Sequence, residues 1–148
     1  PNGAPGVETR MPIVFSEGVS KGRLSLNEFA AVTSTNPAKI FGMYPKKGVL
    51  APGSDADIVL MNPDMEVTIT KNILHENVDY TPYEGIQVKG WPVMTMVRGQ
   101  AVVENERLQV PLGFGRYINR KPVKYTELLK LTANRADGIP DRSMNGIW

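Results

Sequence analysis

The apolar pattern of this chain changes once, from helical spacing to strand spacing. Residues 25–42 place apolar side chains at near-helical intervals, whereas residues 45–108 contain short apolar runs that are typical of strands. Repeated βα units, which build a complete parallel α/β domain, are absent. Helices followed by strands are unusual for an independent domain. The pattern therefore predicts that the chain is part of an α/β protein, and that it holds the closing helices of a barrel and part of a β-sandwich.

Residues 1–22 contain a loop rich in Gly and Pro, followed by a first predicted helix that runs from Met11 toward Gly18. Pro12 then lies in the first turn of that helix, where its missing N–H costs little. Glu8 and Arg10 are candidates for an ion pair that would hold the loop in place. An exposed pair of this kind contributes about 0–1 kcal/mol, so its expected role is architectural.

Residues 25–42 carry signals for two further helices. Ser25 and Glu28 have the spacing of a capping box, so a helix is expected to begin at Ser25. A separate helix is expected to begin at Asn36-Pro37, with Asn36 as N-cap and proline at the first helical position. Gly42 is expected to end it, because glycine favours the position that follows a helix.

Strands are expected between residues 45 and 108, at residues 57–61, 66–70, 93–97 and 101–103. A turn at Asn62-Pro63-Asp64 is expected to separate the first two strands, and a hairpin around Gly99 to join the last two. Residues 71–83 are polar and irregular in pattern. Residues 109–148 form a predicted tail, with a short helix from Tyr125 to Ala133.

Composition excludes several kinds of function. The chain has no cysteine, which excludes disulfides and thiolate metal sites, and its one histidine, His75, cannot build a binuclear metal centre. The 17 basic and 15 acidic residues leave a net charge of only +2, which does not indicate a nucleic-acid partner. No apolar run approaches the ~20 residues that span a bilayer. The absence of cysteine fits a cytosolic protein, so a cytoplasmic location is expected.

Five ordered runs resemble the C-terminal third of hydantoinases and dihydropyrimidinases, members of the amidohydrolase superfamily. They are PNGAPGVETR at 1–10, TSTNPAKIFG at 33–42, YPKKG at 44–48, PGSDADIV at 52–59 and VDYTPYEG at 78–85. The GSDADIV run is common in the superfamily, whereas the NPAKIFGxYP and DYTPYEG runs are specific to the hydantoinase branch. Together with the start at Pro1, the resemblance identifies the chain as the C-terminal portion of such an enzyme.

The resemblance implies a (β/α)8 barrel with its active site at the carboxyl ends of the strands. It also implies two zinc ions, bridged by hydroxide and a carboxylated lysine, that activate water against a cyclic amide. In the family, all metal ligands lie upstream of the part that this chain matches. We therefore assign no catalytic and no metal-binding residue to this chain, and none to His75. The expected divisions are residues 1–44 for the barrel, 45–108 for the sandwich and 109–148 for the tail.

One substrate-binding residue is implied by the resemblance. Asn2 matches the asparagine of the loop after the last barrel strand, which in the family bonds the amide edge of the substrate. An amide group offers both a donor and an acceptor to a cyclic imide. Gly3 and Gly6 would let the backbone approach closely because they have no Cβ. The alternative is an ordinary loop with no contact to substrate.

Other candidates favour structural interpretations. Asp55 and Asp57 could form an acid–base pair, but a pair at a strand start more commonly bonds backbone N–H groups. The aromatic residues Tyr80, Tyr83 and Trp91 could stack on a ligand, but aromatics beside proline more commonly pack between sheet and loop.

The tail contains a basic and aromatic stretch, made of Arg116, Tyr117, Arg120, Lys121, Lys124 and Tyr125. It could be a nucleic-acid patch, although no binding-fold motif surrounds it. Dihydropyrimidinases and their non-catalytic relatives have a similar GxGRYxxRKP run, which in several relatives reaches a neighbouring subunit. We therefore favour a contact within a homodimer or homotetramer.

The function implied is opening of a hydantoin or a dihydropyrimidine to an N-carbamoyl amino acid. The isolated chain is expected to be inactive because the metal ligands lie upstream. One alternative is a dihydropyrimidinase-related assembly protein that keeps the fold and lacks the metal centre. Another is a stable fragment with only a packing role, whose exposed apolar faces would cause self-association.

Overall fold

A computed structural model describes residues 3–123 and residue 126 of the chain. Asn2 and most of the predicted tail helix, Tyr125 to Ala133, lie outside the described residues. The described part contains two helical runs followed by a four-stranded antiparallel sheet in the order β1-β2-β3-β4. Among these residues, no helix is long and apolar enough to cross a membrane.

The first helical run consists of α1 (Arg10–Val14), which continues as a π-helical segment, Phe15–Ser20. The prediction of a helix with proline in its first turn is confirmed, since Pro12 is the third residue of α1. Pro12 is tolerated there because the first N–H groups of a helix have no intrahelical acceptor.

The second helical run joins α2 (Leu26–Ala30), a π-helical segment (Ala31–Thr35) and α3 (Asn36–Ile40). The capping box at its start is confirmed: Ser25 Oγ accepts from the Glu28 N–H at 3.2 Å, and the Glu28 carboxylate accepts from the Ser25 N–H at 2.8 Å. The run ends at Gly42, as predicted, where the Gly42 N–H donates to the Lys39 carbonyl at 3.1 Å.

The prediction of a separate helix capped by Asn36 is wrong. Thr35 and Asn36 both have helical backbone angles, and no side chain caps α3. The π-helical turn widens the backbone directly before Pro37, which has no N–H to donate to a carbonyl four residues earlier. The Thr33 hydroxyl bonds the Phe29 carbonyl at 2.7 Å. The helix therefore passes through the proline instead of restarting there.

The sheet is built from β1 (Ile58–Thr68), β2 (Gln87–Val97), β3 (Gln100–Glu104) and β4 (Arg107–Leu108). The predicted hairpin around Gly99 is confirmed, with Arg98 and Gly99 both at positive φ between β2 and β3. The short hairpin to β4, which turns at Asn105 and Glu106, was not predicted. Two predicted strands are longer than expected: β2 begins at Gln87 instead of residue 93, and β3 spans Gln100–Glu104 instead of residues 101–103.

The expected turn at Asn62-Pro63-Asp64 does not divide two strands. It is an irregularity inside β1, where the register shifts between Asn62 and Glu66. The Asn62 side chain accepts from the Asp64 N–H at 3.1 Å, so the bend is local. Pro63 has no N–H to give to β2, and a bulge accommodates it without ending the strand.

The first helical run packs on β2. The core cluster contains Ile69, Val88 and Trp91, and Ile13 of α1 packs against it. Two serines of the π-helical segment bond one strand residue: the Lys89 N–H donates to Ser16 Oγ at 3.0 Å, and the Ser20 hydroxyl donates to the Lys89 carbonyl at 3.1 Å.

Phe15 lies directly over Gly90 of β2. Phe15 is 5% exposed, and its ring meets the Phe29 ring edge-on with centroids 5.3 Å apart. Gly90 has a φ of 101°, and a Cβ at this position would overlap the Phe15 ring. The close approach of helix and strand therefore requires glycine here.

The Gly90→Ala substitution should destabilise the chain by about 1–3 kcal/mol, because the new methyl group displaces Phe15 and the backbone is strained. Urea unfolding of the wild-type and variant chains measures the difference. Gly53→Ala is the matched control, since Gly53 has a φ of 89° and nothing within 4 Å of its Cβ position. Equal destabilisation by both substitutions would show that the Phe15 contact contributes nothing.

Candidate functional site

The N-terminal loop, residues 3–9, leads from Asn2 into α1. Its inner end is well anchored: Thr9 is fully buried, and the Gly6 carbonyl accepts from the Arg10 N–H at 3.1 Å. A Cβ on Gly6 would stand 3.5 Å from the Tyr83 ring, so the loop backbone runs along this aromatic side chain. The role of Asn2 in binding substrate stays a prediction.

Glu8 attaches the N-terminal loop to a distant segment. Its carboxylate accepts from the His75 N–H at 2.7 Å and contacts His75 Nδ1 at 2.8 Å. The hydrogen bond to Glu8 and the charge of its carboxylate raise the pKa of His75, and partial burial opposes them. Within the described residues no ion pair joins Glu8 to Arg10, so this candidate pair is not formed, whereas the architectural role expected for Glu8 is supported by its contacts with His75. The two partners are 67 residues apart, and no sequence signal links them.

Asp55 and Asp57 converge on Lys47. Lys47 Nζ lies 3.0 Å from Asp55 Oδ2 and also contacts Asp57 Oδ2, while Asp57 Oδ1 accepts from the Arg98 N–H at 2.9 Å. Lys46 bonds the other Asp55 oxygen at 3.0 Å. These contacts tie the loop before β1 to the β2–β3 hairpin.

The electrostatics of this cluster favour a structural role. Hydrogen bonds from Lys47 and then Lys46 lower the pKa of Asp55, so this carboxyl is ionised at neutral pH and cannot act as an acid. Burial alone would lower the pKa of Lys47, but its hydrogen bonds to Asp57 and Asp55 outweigh burial and raise it. The structural interpretation of the aspartate pair is therefore supported over the acid–base interpretation.

The three aromatic residues singled out in the sequence do not share one environment. Trp91 is buried in the core and Tyr83 packs against that core, as the structural interpretation expects. Tyr80 is 48% exposed, so it is not part of the packing between sheet and loop.

An apolar groove of about 830 Å³ lies between the second helical run and the sheet. Phe29, Ala38 and Met43 line one side, and Val59 and Met96 line the other. Lys47 and Asp57 also border the groove, but they bond each other. The groove thus offers apolar surface and no free acid–base pair.

The start of the tail returns to the body of the chain at two points. The Arg98 guanidinium lies 4.4 Å from the Phe114 ring centroid and donates to the Phe114 carbonyl at 2.9 Å. The Lys121 N–H donates to the Gly42 carbonyl at 2.9 Å. Between these points Tyr117 is 88% exposed.

No group of three or more His, Cys, Asp or Glu side chains in residues 3–123 and 126 could hold a metal ion. The described residues therefore do not fit a metal centre. They provide an anchored N-terminal loop, an apolar groove, and an ion cluster that ties the loop before β1 to the β2–β3 hairpin.

Lys47→Met should lower the melting temperature at neutral pH, because it leaves two ionised carboxylates without their shared cation. The pKa of the Asp55 carboxyl is lower in the folded chain than in the unfolded chain, so its ionised form stabilises the fold at pH values above the ordinary carboxyl pKa. This stabilisation is lost as the pH falls through the lowered pKa. The difference between wild type and variant should therefore shrink toward low pH. Lys46→Met, which removes an exposed lysine bonded to Asp55 alone, is the control and should have a smaller effect. An equal effect of both variants would contradict the assignment.

Sequence comparison relates most of this chain to proteins of known activity. The amidohydrolase family model matches residues 6–102. D-hydantoinase from Geobacillus stearothermophilus is 46% identical over 129 residues, which are 87% of this chain and 27% of that protein. D-phenylhydantoinase from Escherichia coli is 46% identical over 122 residues, which are 82% of this chain and 26% of that protein. The chain thus spans about a quarter of the length of these relatives.

Solved structures show the same relationship in three dimensions. Dihydropyrimidinase from Brevibacillus agri matches with a TM-score of 0.81 and 51% identity, over 84% of this chain and 27% of that one. L-hydantoinase (dihydropyrimidinase) from Arthrobacter aurescens matches with a TM-score of 0.77 and 43% identity, over 80% of this chain and 26% of that one. This chain therefore belongs to the amidohydrolase family and is homologous to hydantoinases and dihydropyrimidinases over most of its length.

Proposed function

We propose that this chain is the C-terminal portion of a metal-dependent hydrolase that opens a hydantoin or a dihydropyrimidine to an N-carbamoyl amino acid. The observation that carries the proposal is the 43–51% identity to hydantoinases and dihydropyrimidinases, which extends over four fifths of the chain or more. The relatives are named for activity on cyclic amides of this class.

The chain's contribution would be structural positioning. Asn2 would bond the amide edge of the substrate, and the N-terminal loop would hold it there through Gly6, Glu8 and Thr9. Tyr83 and His75, which lie in the connection between β1 and β2, contact that loop. The two zinc ions expected from the resemblance would be held by residues upstream, since no described group of side chains fits a metal. When bound, they would supply the activated water.

The proposed organisation follows the same boundaries as the pattern of the sequence. Residues 1–44 would close the barrel, residues 45–108 would complete a β-sandwich, and residues 109–148 would form a tail. The four-stranded sheet and the two helical runs are compatible with this division. A cytoplasmic location is proposed from the absence of cysteine.

The tail is proposed to contact a second subunit of a homodimer or homotetramer. Its described part is anchored through Phe114 and Lys121, whereas Leu112 is 96% exposed and Tyr117 is 88% exposed. Exposed apolar and aromatic side chains beside Arg116 and Arg120 are typical of an interface. This exposure favours assembly over nucleic-acid binding, which has no supporting fold motif.

The first experiment measures the intact mass and metal content of the protein from its natural source, together with ring opening of hydantoin and dihydrouracil. A species several times the mass of this chain, with about two zinc ions and ring-opening activity, is expected. A metal-free, inactive protein would refute the proposal and favour a non-catalytic assembly protein. The isolated 148-residue chain should show no activity, and zinc-dependent hydrolysis by it would contradict the assignment of ligands upstream.

Asn2→Ala in the full-length protein should lower kcat/KM about 10-fold, because one hydrogen bond to the substrate is lost. Asn27→Ala is the matched control, since Asn27 is exposed on α2 and its loss should leave kcat/KM unchanged. Steady-state kinetics with both substrates measures the effect. Equal kcat/KM for wild type and Asn2→Ala would remove Asn2 from the binding site.

A further inference from the structure

His75 connects three segments that are distant in the sequence. Its Nδ1 lies 2.8 Å from Glu8 Oε1 in the N-terminal loop, and its Nε2 lies 3.2 Å from the Glu106 carbonyl in the β3–β4 turn. We propose that His75 is a positioning residue, whose imidazolium clamps the N-terminal loop to the β3–β4 turn, and that this link between loop and turn is broken when the ring loses a proton.

The two ring contacts require two donors. A carboxylate oxygen and a backbone carbonyl are both acceptors, so each ring nitrogen must carry a proton to bond them. A neutral imidazole has one N–H only and leaves a nitrogen lone pair facing an acceptor oxygen. The clamp is therefore complete only in the protonated state.

The backbone geometry holds both acceptors in place. Glu8 is held by its second oxygen, which accepts from the His75 N–H at 2.7 Å. Glu106 has a φ of 62°, and the tight turn that it forms with Asn105 presents its carbonyl to the ring. The clamp thus consists of the His75 ring and two acceptors, the Glu8 carboxylate and the Glu106 carbonyl.

The ionisable groups that face the ring are acidic. Glu8 approaches from the N-terminal loop and Glu106 from the turn. The hydrogen bond to Glu8 makes the largest contribution to a raised pKa, and the backbone of Glu106 adds a smaller one. The clamp is therefore complete below the ordinary histidine pKa of about 6.5 and is lost as pH rises through the raised value.

The clamp acts on the outer half of the N-terminal loop. Thr9 is buried and Gly6 runs along Tyr83, so these positions have other contacts. Val7 is 84% exposed, and the side chain of Glu8 is the described link from this part of the loop to the β3–β4 turn through His75. The consequence for Asn2 and for substrate rests on the proposed function, whereas the clamp itself does not.

The first test is an NMR titration of the Cε1–H resonance of His75, the one histidine of the 148-residue chain. In the wild type the midpoint should lie above the ordinary value, and in Glu8→Gln it should fall toward that value. Glu106→Gln is the matched control, because it keeps the backbone carbonyl and should move the midpoint less. An unchanged midpoint in Glu8→Gln, or an ordinary midpoint in the wild type, would overturn the clamp.

The second test measures how the clamp affects the loop and the substrate. In the chain, the amide protection factors of Arg10 and His75, whose N–H groups bond Gly6 and Glu8 of the loop, should decrease as pH rises through the His75 midpoint. His75→Gln should remove this dependence. In the full-length protein, His75→Gln should raise KM and flatten its pH profile, with kcat nearly unchanged. Loop protection that ignores the His75 midpoint, or a KM profile that His75→Gln leaves intact, would refute the positioning role. A full-length protein without hydrolase activity would refute the proposed function, while the titration and protection data would still decide the clamp.

Discussion

The contact between the first helical run and β2 is the constraint on which the described structure depends. Phe15 fits over Gly90 because glycine leaves room for the ring, and Ser16 and Ser20 bond the backbone of the adjacent Lys89. Apolar packing and hydrogen bonding therefore occur at two adjacent strand residues. Because helix and strand approach so closely there, the N-terminal loop that precedes the helix is brought beside the sheet.

Polar contacts then connect the loops around this packed centre. Lys47, Asp55 and Asp57 hold the segment before β1 against the β2–β3 hairpin, and Arg98 of that hairpin holds the start of the tail. Glu8 and His75 hold the N-terminal loop in the same manner. The aspartate pair that could be mistaken for catalytic carboxylates in the sequence thus fixes loops, so the proposed chemistry would be supplied by residues outside these clusters.

Local signals in the sequence predicted local structure well. The capping box of Ser25 and the hairpin at Gly99 are confirmed because each depends on a few neighbouring residues. Two other local signals failed. Pro37 and Pro63 were expected to mark the boundaries of a helix and a strand. Instead, a π-helical turn before Pro37 and a bulge at Pro63 let the helical run and β1 continue through them. The one predicted substrate-binding residue, Asn2, stays a prediction.

The sequence by itself determined the family, the order of helices and strands, and the absence of thiolate chemistry, because these depend on residue identity and short-range spacing. Only the tertiary structure decided the partners of Glu8 and of Lys47. His75 lies 67 residues from Glu8, and Asp55 and Asp57 lie 8 and 10 residues from Lys47 across an irregular loop. No periodicity encodes such pairs, since they exist only after packing of the apolar core has brought distant segments of the chain together.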